Sequence, residues 1–125
     1  MVRPVKTPGP DHPITVEPTA ARVVVRAGGK VVADTTRALT LQEADYPAVQ
    51  YIPLADVAAD ALTPTDSSTY CPYKGDASYY SLVTGDDTIA DAVWTYREPY
   101  DAVGAIAGHV AFYPKHVEVE QLQDA

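Results

Sequence analysis

The spacing of short β-branched runs constrains this fold more than any other feature. Arg22-Val23-Val24-Val25-Arg26 is followed by Ala27-Gly28-Gly29 and then by Lys30-Val31-Val32-Ala33-Asp34. Glycines supply the positive φ that a tight turn needs, so this stretch is predicted to be a β-hairpin. The next runs are as short and as close together. Residues 37–43 read as a strand with Leu39, Leu41 and Glu43 on one face and Ala38, Thr40 and Gln42 on the other. Glu43 ends that apolar stripe, so it is either drawn toward the interior or lies where the strand has stopped. Tyr46-Pro47 and Ile52-Pro53 bracket an edge strand at 49–52, because proline is tolerated at strand edges and ends. Asp56 reads as the N-cap of a short helix over 57–62 that Pro64 ends, with a polar loop at 65–68. Residues 77–83 and 89–97 form a hairpin across Gly85-Asp86-Asp87, with Ala90, Ala92, Trp94 and Tyr96 on one face. Residues 102–107 make one or two helical turns ended by Gly108, and 109–113 pairs with 116–120 across Pro114-Lys115. Strands this close leave no room for βαβ crossovers. The expected fold is mainly β, or α+β with few helices: one small domain of bent antiparallel sheet built from hairpins, with one or two short helices.

The domain is expected at residues 21–120, between a proline-rich arm (1–20) and a polar tail (121–125). Pro4, Pro8, Pro10, Pro13 and Pro18 favour an extended arm over a core element. Alternating apolar residues in His12-Pro13-Ile14-Thr15-Val16 would let part of it lie across a sheet edge; a frayed terminus is the alternative. The chain has 125 residues, enough to bury a core without metals or disulfides. Its apolar runs, such as Val23–Val25, are too short to span a bilayer, and Met1-Val2-Arg3-Pro4 opens no secretory h-region, so no membrane role is expected and cytoplasm is the default. The net charge of −8 repels a phosphate backbone, which argues against nucleic acid as a partner. The single cysteine can form neither an internal disulfide nor a Cys-rich zinc site.

Reactive side chains concentrate in Thr69-Tyr70-Cys71-Pro72-Tyr73-Lys74-Gly75. Between residues 38 and 96 there are nine carboxylates and one cation, Lys74. An ammonium beside a thiol favours the thiolate, so Lys74 would activate Cys71 as a nucleophile; otherwise Cys71 is a small buried hydrophobe. The base such chemistry needs would be His12, if the arm packs over the site, since His109 and His116 are placed on a sheet face and in a turn. No histidine spacing suits a metal, and no cofactor is implied. Arg37 follows the polar corner Asp34-Thr35-Thr36, where it would clamp a carboxylate or phosphate, or pair with Asp34 or Glu43. Nine tyrosines stand against one phenylalanine. Tyr70, Tyr73, Tyr79, Tyr80 and Tyr96 gather with Trp94 around the same strand pair, suiting a pocket wall, an interface or a half-buried sheet face.

The order of these motifs resembles a known family. His12-Pro13-Ile14, Val31-Val32-Ala33-Asp34, Arg37-Ala38, Tyr51-Ile52-Pro53, Asp56-Val57, Cys71-Pro72-Tyr73-Lys74-Gly75, Trp94-Thr95-Tyr96, Ile106-Ala107-Gly108 and Ala111-Phe112-Tyr113 are similar to the bacterial domain of unknown function numbered 427. That family is also labelled nucleotidyltransferase-like, although the carboxylate cluster that would hold magnesium is not visible here. The resemblance covers about 12–119 and implies a small, bent, β-rich domain, with attention to Arg37, Glu43, Cys71, Tyr73, Lys74, Trp94 and Tyr96. A looser similarity to β-tent domains would leave this chain without their four zinc cysteines. The leading expectation is a small-molecule binding domain, with a pocket walled by Tyr73, Tyr79, Trp94 and Tyr96, and with Arg37 and Lys74 attracting an anionic or polar ligand. Its rivals are an enzyme using Cys71, Lys74 and His12, and an interaction module in which tyrosines form a homodimer face.

Overall fold

The computed structural model describes residues 4–122. It is 57% strand and 10% helical, with a seven-stranded and a three-stranded antiparallel sheet in one small domain. The strands are β1 (Ile14–Pro18), β2 (Arg22–Ala27), β3 (Lys30–Thr35), β4 (Leu39–Glu43), β5 (Val49–Pro53), β6 (Leu62–Cys71), β7 (Gly75–Thr84), β8 (Asp87–Thr95), β9 (His109–Phe112) and β10 (Glu118–Leu122). The large sheet runs β1-β4-β5-β9-β8-β7-β6 and the small one β10-β2-β3. Short 3-10 turns occupy Leu54–Asp56, Ala59–Ala61 and Asp101–Ile106. No helix among the described residues is long and apolar enough to cross a membrane.

Side chains alternate across the large sheet, so its central strands feed two cores. Ile52, Val93, Val110 and Phe112 face the small sheet and pack with Val23, Val25 and Val32. Tyr51, Ala111, Tyr79 and Tyr96 face the other way and pack with Leu41, Val103 and Ile106. The second core is flanked by Ile14 and Val16 of β1 and by the Asp101–Ile106 turn. It holds Tyr51, Tyr79, Tyr96 and Tyr113, four of the nine tyrosines, and the candidate site opens there.

Several local expectations are corrected by long-range pairing. β5 is not an edge strand; it lies between β4 and β9, and its proline stands last, where no interior ladder bond is lost. Residues 65–68 are not a loop but part of β6, paired with β7 around a bulge between Pro64 and Ser68. β6 tolerates Pro64 because it is the outermost strand. Asp56 caps no helix over 57–62. It closes the Leu54–Asp56 turn, and its carboxylate accepts from Thr35 Oγ1 at 2.6 Å. Residues 109–113 and 116–120 do not form a hairpin: both edges of β9 are taken by β5 and β8, and β10 pairs with β2 instead. Gln121 and Leu122, expected in the tail, belong to β10, while 123–125 lie outside the described residues. Of the arm, Ile14–Pro18 form β1 along β4.

The row expected from Ala90 to Tyr96 is also interrupted. Asp91 has a φ of 54° and sits in a bulge opposite the Tyr80–Leu82 step. Its carboxylate accepts from Thr65 Oγ1 at 2.6 Å and Ser67 Oγ at 2.7 Å, tying the β6 and β8 irregularities together. Ala90 is exposed, Ala92 joins the core between the sheets, and only Trp94 and Tyr96 remain on the tyrosine-rich face.

Candidate functional site

The turn between β6 and β7 builds the site. Cys71 pairs with Gly75 across the ladder, leaving Pro72-Tyr73-Lys74 as the loop. Gly75 has a φ of 111°, a conformation that side chains disfavour, and a Cβ there would meet the Glu98 carbonyl oxygen at 3.4 Å. The Lys74 carbonyl accepts from the Tyr100 amide at 2.9 Å, so the chain beyond β8 clamps the turn. Lys74 is thereby folded inward and is only 8% exposed.

Its ammonium meets Glu43 Oε1, and Glu43 Oε2 accepts from His12 Nε2 at 2.7 Å. The His12 ring stacks on Tyr73 at 4.1 Å with an interplanar angle of 8°. The arm is fixed further by Lys6 N donating to the Pro72 carbonyl at 2.9 Å and by Tyr70 donating to the Pro4 carbonyl at 2.6 Å. Burial pushes the Glu43 carboxyl up, but hydrogen bonds and charge from Lys74 and His12 outweigh it and hold the group below its ordinary 4.5. The ionised carboxylate is thus the hub of the cluster.

Beside Lys74 lies a cavity of about 190 Å³. Tyr51, Tyr79, Trp94, Tyr96 and Tyr113 wall it, Glu43 and Lys74 close one end, and Tyr46 and Pro47 stand at the solvent side. Burial pushes the Tyr51 hydroxyl up to about 12. Burial, reinforced by a hydrogen bond with Tyr79, also raises Tyr113 to about 12, and burial raises Tyr96 further still. All three are neutral O–H groups at physiological pH. Tyr51 accepts from Trp94 Nε1 at 3.2 Å, and Tyr79 shares a 2.9 Å hydrogen bond with Thr69. No hydrogen bond of the Tyr96 hydroxyl is found among the described residues, and since no buried side-chain oxygen or nitrogen there lacks a partner, this hydroxyl reaches solvent in the cavity.

A family model describing the domain of unknown function DUF427 matches residues 15–123. The chain belongs to the DUF427 family. No curated protein matches it.

In this DUF427 domain, Glu43, Lys74, Tyr79, Trp94 and Tyr96 share the cavity. Cys71 stands next to it, with its sulfur 4.0 Å from Lys74 Nζ. His12 reaches the cluster through Glu43, which takes its Nε2, and not through Cys71. Tyr73 is outside the cavity, lining a surface groove with Lys6 and Thr7 beneath the arm. Arg37 is elsewhere: its guanidinium lies 3.2 Å from Asp56, while Asp34 is taken by Arg22 and Glu43 by Lys74. Among the described residues no three His, Cys, Asp or Glu side chains cluster as metal donors. Tyr51 and Tyr113 were missed in the sequence. Tyr51 alternates with Val49, and Tyr113 with Ala111, which pairs with Trp94; that alternation was the available signal.

Proposed function

We propose that this DUF427 domain binds a small polar or singly charged anionic molecule in the phenol-walled cavity, through an oxygen acceptor placed between Lys74 and Tyr96. The observation that carries this reading is a pair of donors with capacity to spare in one cavity. A lysine ammonium has three N–H groups; that of Lys74 meets Glu43 and lies 4.0 Å from the Cys71 sulfur, and Lys74 also lines the cavity. Tyr96 adds a hydroxyl that also lines the cavity. Donors that face a cavity favour a ligand that supplies an acceptor, and the neutral phenols add apolar wall with hydrogen-bonding tips. Lys74 is already paired with Glu43, so it offers a ligand a hydrogen bond more than an uncompensated charge, and the net charge of −8 disfavours polyphosphates.

Thermal shift with formate, glycolate, pyruvate, benzoate and inorganic phosphate tests this. The single carboxylates should raise the melting temperature in proportion to saturation. Lys74→Met or Tyr96→Phe should remove most of the shift. A shift for no acid, or an equal shift in both variants, would sink the reading.

The 4.0 Å approach of Lys74 to Cys71 favours a second reading, in which Cys71 acts as a nucleophile. It predicts iodoacetamide alkylation with an apparent pKa below a free thiol, lost in Lys74→Met. A slow reaction unaffected by that substitution counts against it. His12 serves this reading less well as a base, because its Nε2 is engaged by Glu43.

A further inference from the structure

A second cavity, of about 300 Å³, adjoins the first. It is walled by Val25, Ile52, Phe112 and Val119, and it shares Val49 and Trp94 with the phenol-walled cavity. Pro47, which is exposed, borders both. The two differ sharply in chemistry. The first is lined by a lysine and a carboxylate, whereas no charged side chain among the described residues lines the second. Its polar members are Gln50 and Gln121, and the Gln50 side chain is already bonded to Thr19 and Thr40. The second cavity's walls come from both sheets, since Val25 and Val119 lie on β2 and β10 while Ile52 and Phe112 lie on β5 and β9.

Resting on the binding reading above, we propose that the ligand is an amphipathic monocarboxylate. Its carboxylate meets Lys74 and Tyr96, its chain passes the rim at Pro47 and Trp94, and its apolar tail fills the cavity between the sheets. Each part follows from the surroundings. Two donors lining one cavity favour an oxygen-bearing head, and a mostly apolar cavity opening to water rewards an alkyl group. Trp94, common to both walls, gives the junction an aromatic surface that tolerates either end.

The experiment is calorimetric titration of the full chain with acetate, butyrate, hexanoate and octanoate, alongside octylamine. Affinity should rise by roughly fourfold per methylene once the chain passes the rim. Ala48→Trp, at an exposed position lining only the second cavity, should flatten that rise and leave the short acids unchanged. Circular dichroism and melting temperature confirm that the variant is folded, and Val119→Trp serves as a second plug. If short acids bind and length adds nothing, the amphiphile proposal falls while the binding reading stands. A length dependence that both plugs leave intact also overturns it, because the tail then lies elsewhere. Octylamine binding as tightly as octanoate refutes the carboxylate head. Absence of binding at every length overturns both.

Discussion

The ion pair at the end of the cavity can be tested by a double-mutant cycle on Lys74 and Glu43. Lys74 and Glu43 side chains are 11% and 16% exposed, so each charge depends on its partner more than on water. Removing one member of a fully buried pair typically costs 3–5 kcal/mol, because the other charge is left uncompensated. The neighbouring cavity admits solvent, which places this pair at the lower end. Glu43→Gln strips the counter-charge from Lys74 and also the acceptor from His12, and about 3 kcal/mol is expected. Lys74→Met leaves Glu43 still bonded to His12 and should cost less, about 2 kcal/mol. In the double variant no unpaired charge remains beside the cavity, so its loss should fall at least ~1 kcal/mol short of the sum. Urea unfolding followed by circular dichroism measures all four proteins, and an unchanged m-value confirms that the comparison is between like transitions. Single effects that add within about 0.5 kcal/mol would refute the view that these side chains act as one unit.

Three further outcomes follow from the same geometry. Glu43 titrates below its ordinary 4.5 in the folded chain, so its contribution is present above that value and is lost as pH falls through the lower, folded one. Acid unfolding of Glu43→Gln should therefore be less steep below pH 4.5, and an identical acid limb would count against the assignment. Tyr51 and Tyr113 move the other way, from 10.0 to about 12, so the stability they confer is intact below 10.0 and declines as pH rises beyond it. For the buried Tyr51 the loss amounts to roughly 3 kcal/mol above both values; phenolate absorbance at 295 nm should show a late-titrating class that Tyr51→Phe diminishes. Gly75→Ala should destabilise by more than about 1 kcal/mol, given its φ of 111° and the Glu98 carbonyl near the new methyl. A melting temperature like that of the wild type would show that the turn relaxes without strain.

The sequence made legible what local chemistry controls. Gly28-Gly29 between valine runs dictates the β2–β3 hairpin, and Cys71-Pro72-Tyr73-Lys74-Gly75 dictates a tight turn carrying a thiol and a cation. Glu43 at the end of an apolar stripe left two outcomes open, an inward pull or a strand that stops first; Glu43 is the last residue of β4 and its side chain is 16% exposed. What was illegible depends on partners far along the chain. Residues 65–68 look like a loop because an outer strand has water on one edge and can be polar throughout. The pairing of β10 with β2 spans most of the sequence and leaves no local mark. Arg37 is expected from the sequence to pair with Asp34 or Glu43, yet it meets Asp56, whose place at the end of the Leu54–Asp56 turn differs from the helix N-cap that the local pattern suggests. Tyr51 and Tyr113 went unnoticed as cavity walls because their strands were given the wrong neighbours.

The central claim is that Lys74 and Tyr96 hold an oxygen acceptor in the cavity that Trp94 walls. Trp94 is the only tryptophan, so its fluorescence reports on that cavity without labelling. Titration with hexanoate should give a saturable change in the wild type. Tyr96→Phe, which removes one hydroxyl and no wall, should weaken it about tenfold, as expected for a lost hydrogen bond to a charged group. No saturable change, or one that Tyr96→Phe and Lys74→Met leave unaltered in folded protein, would contradict the account.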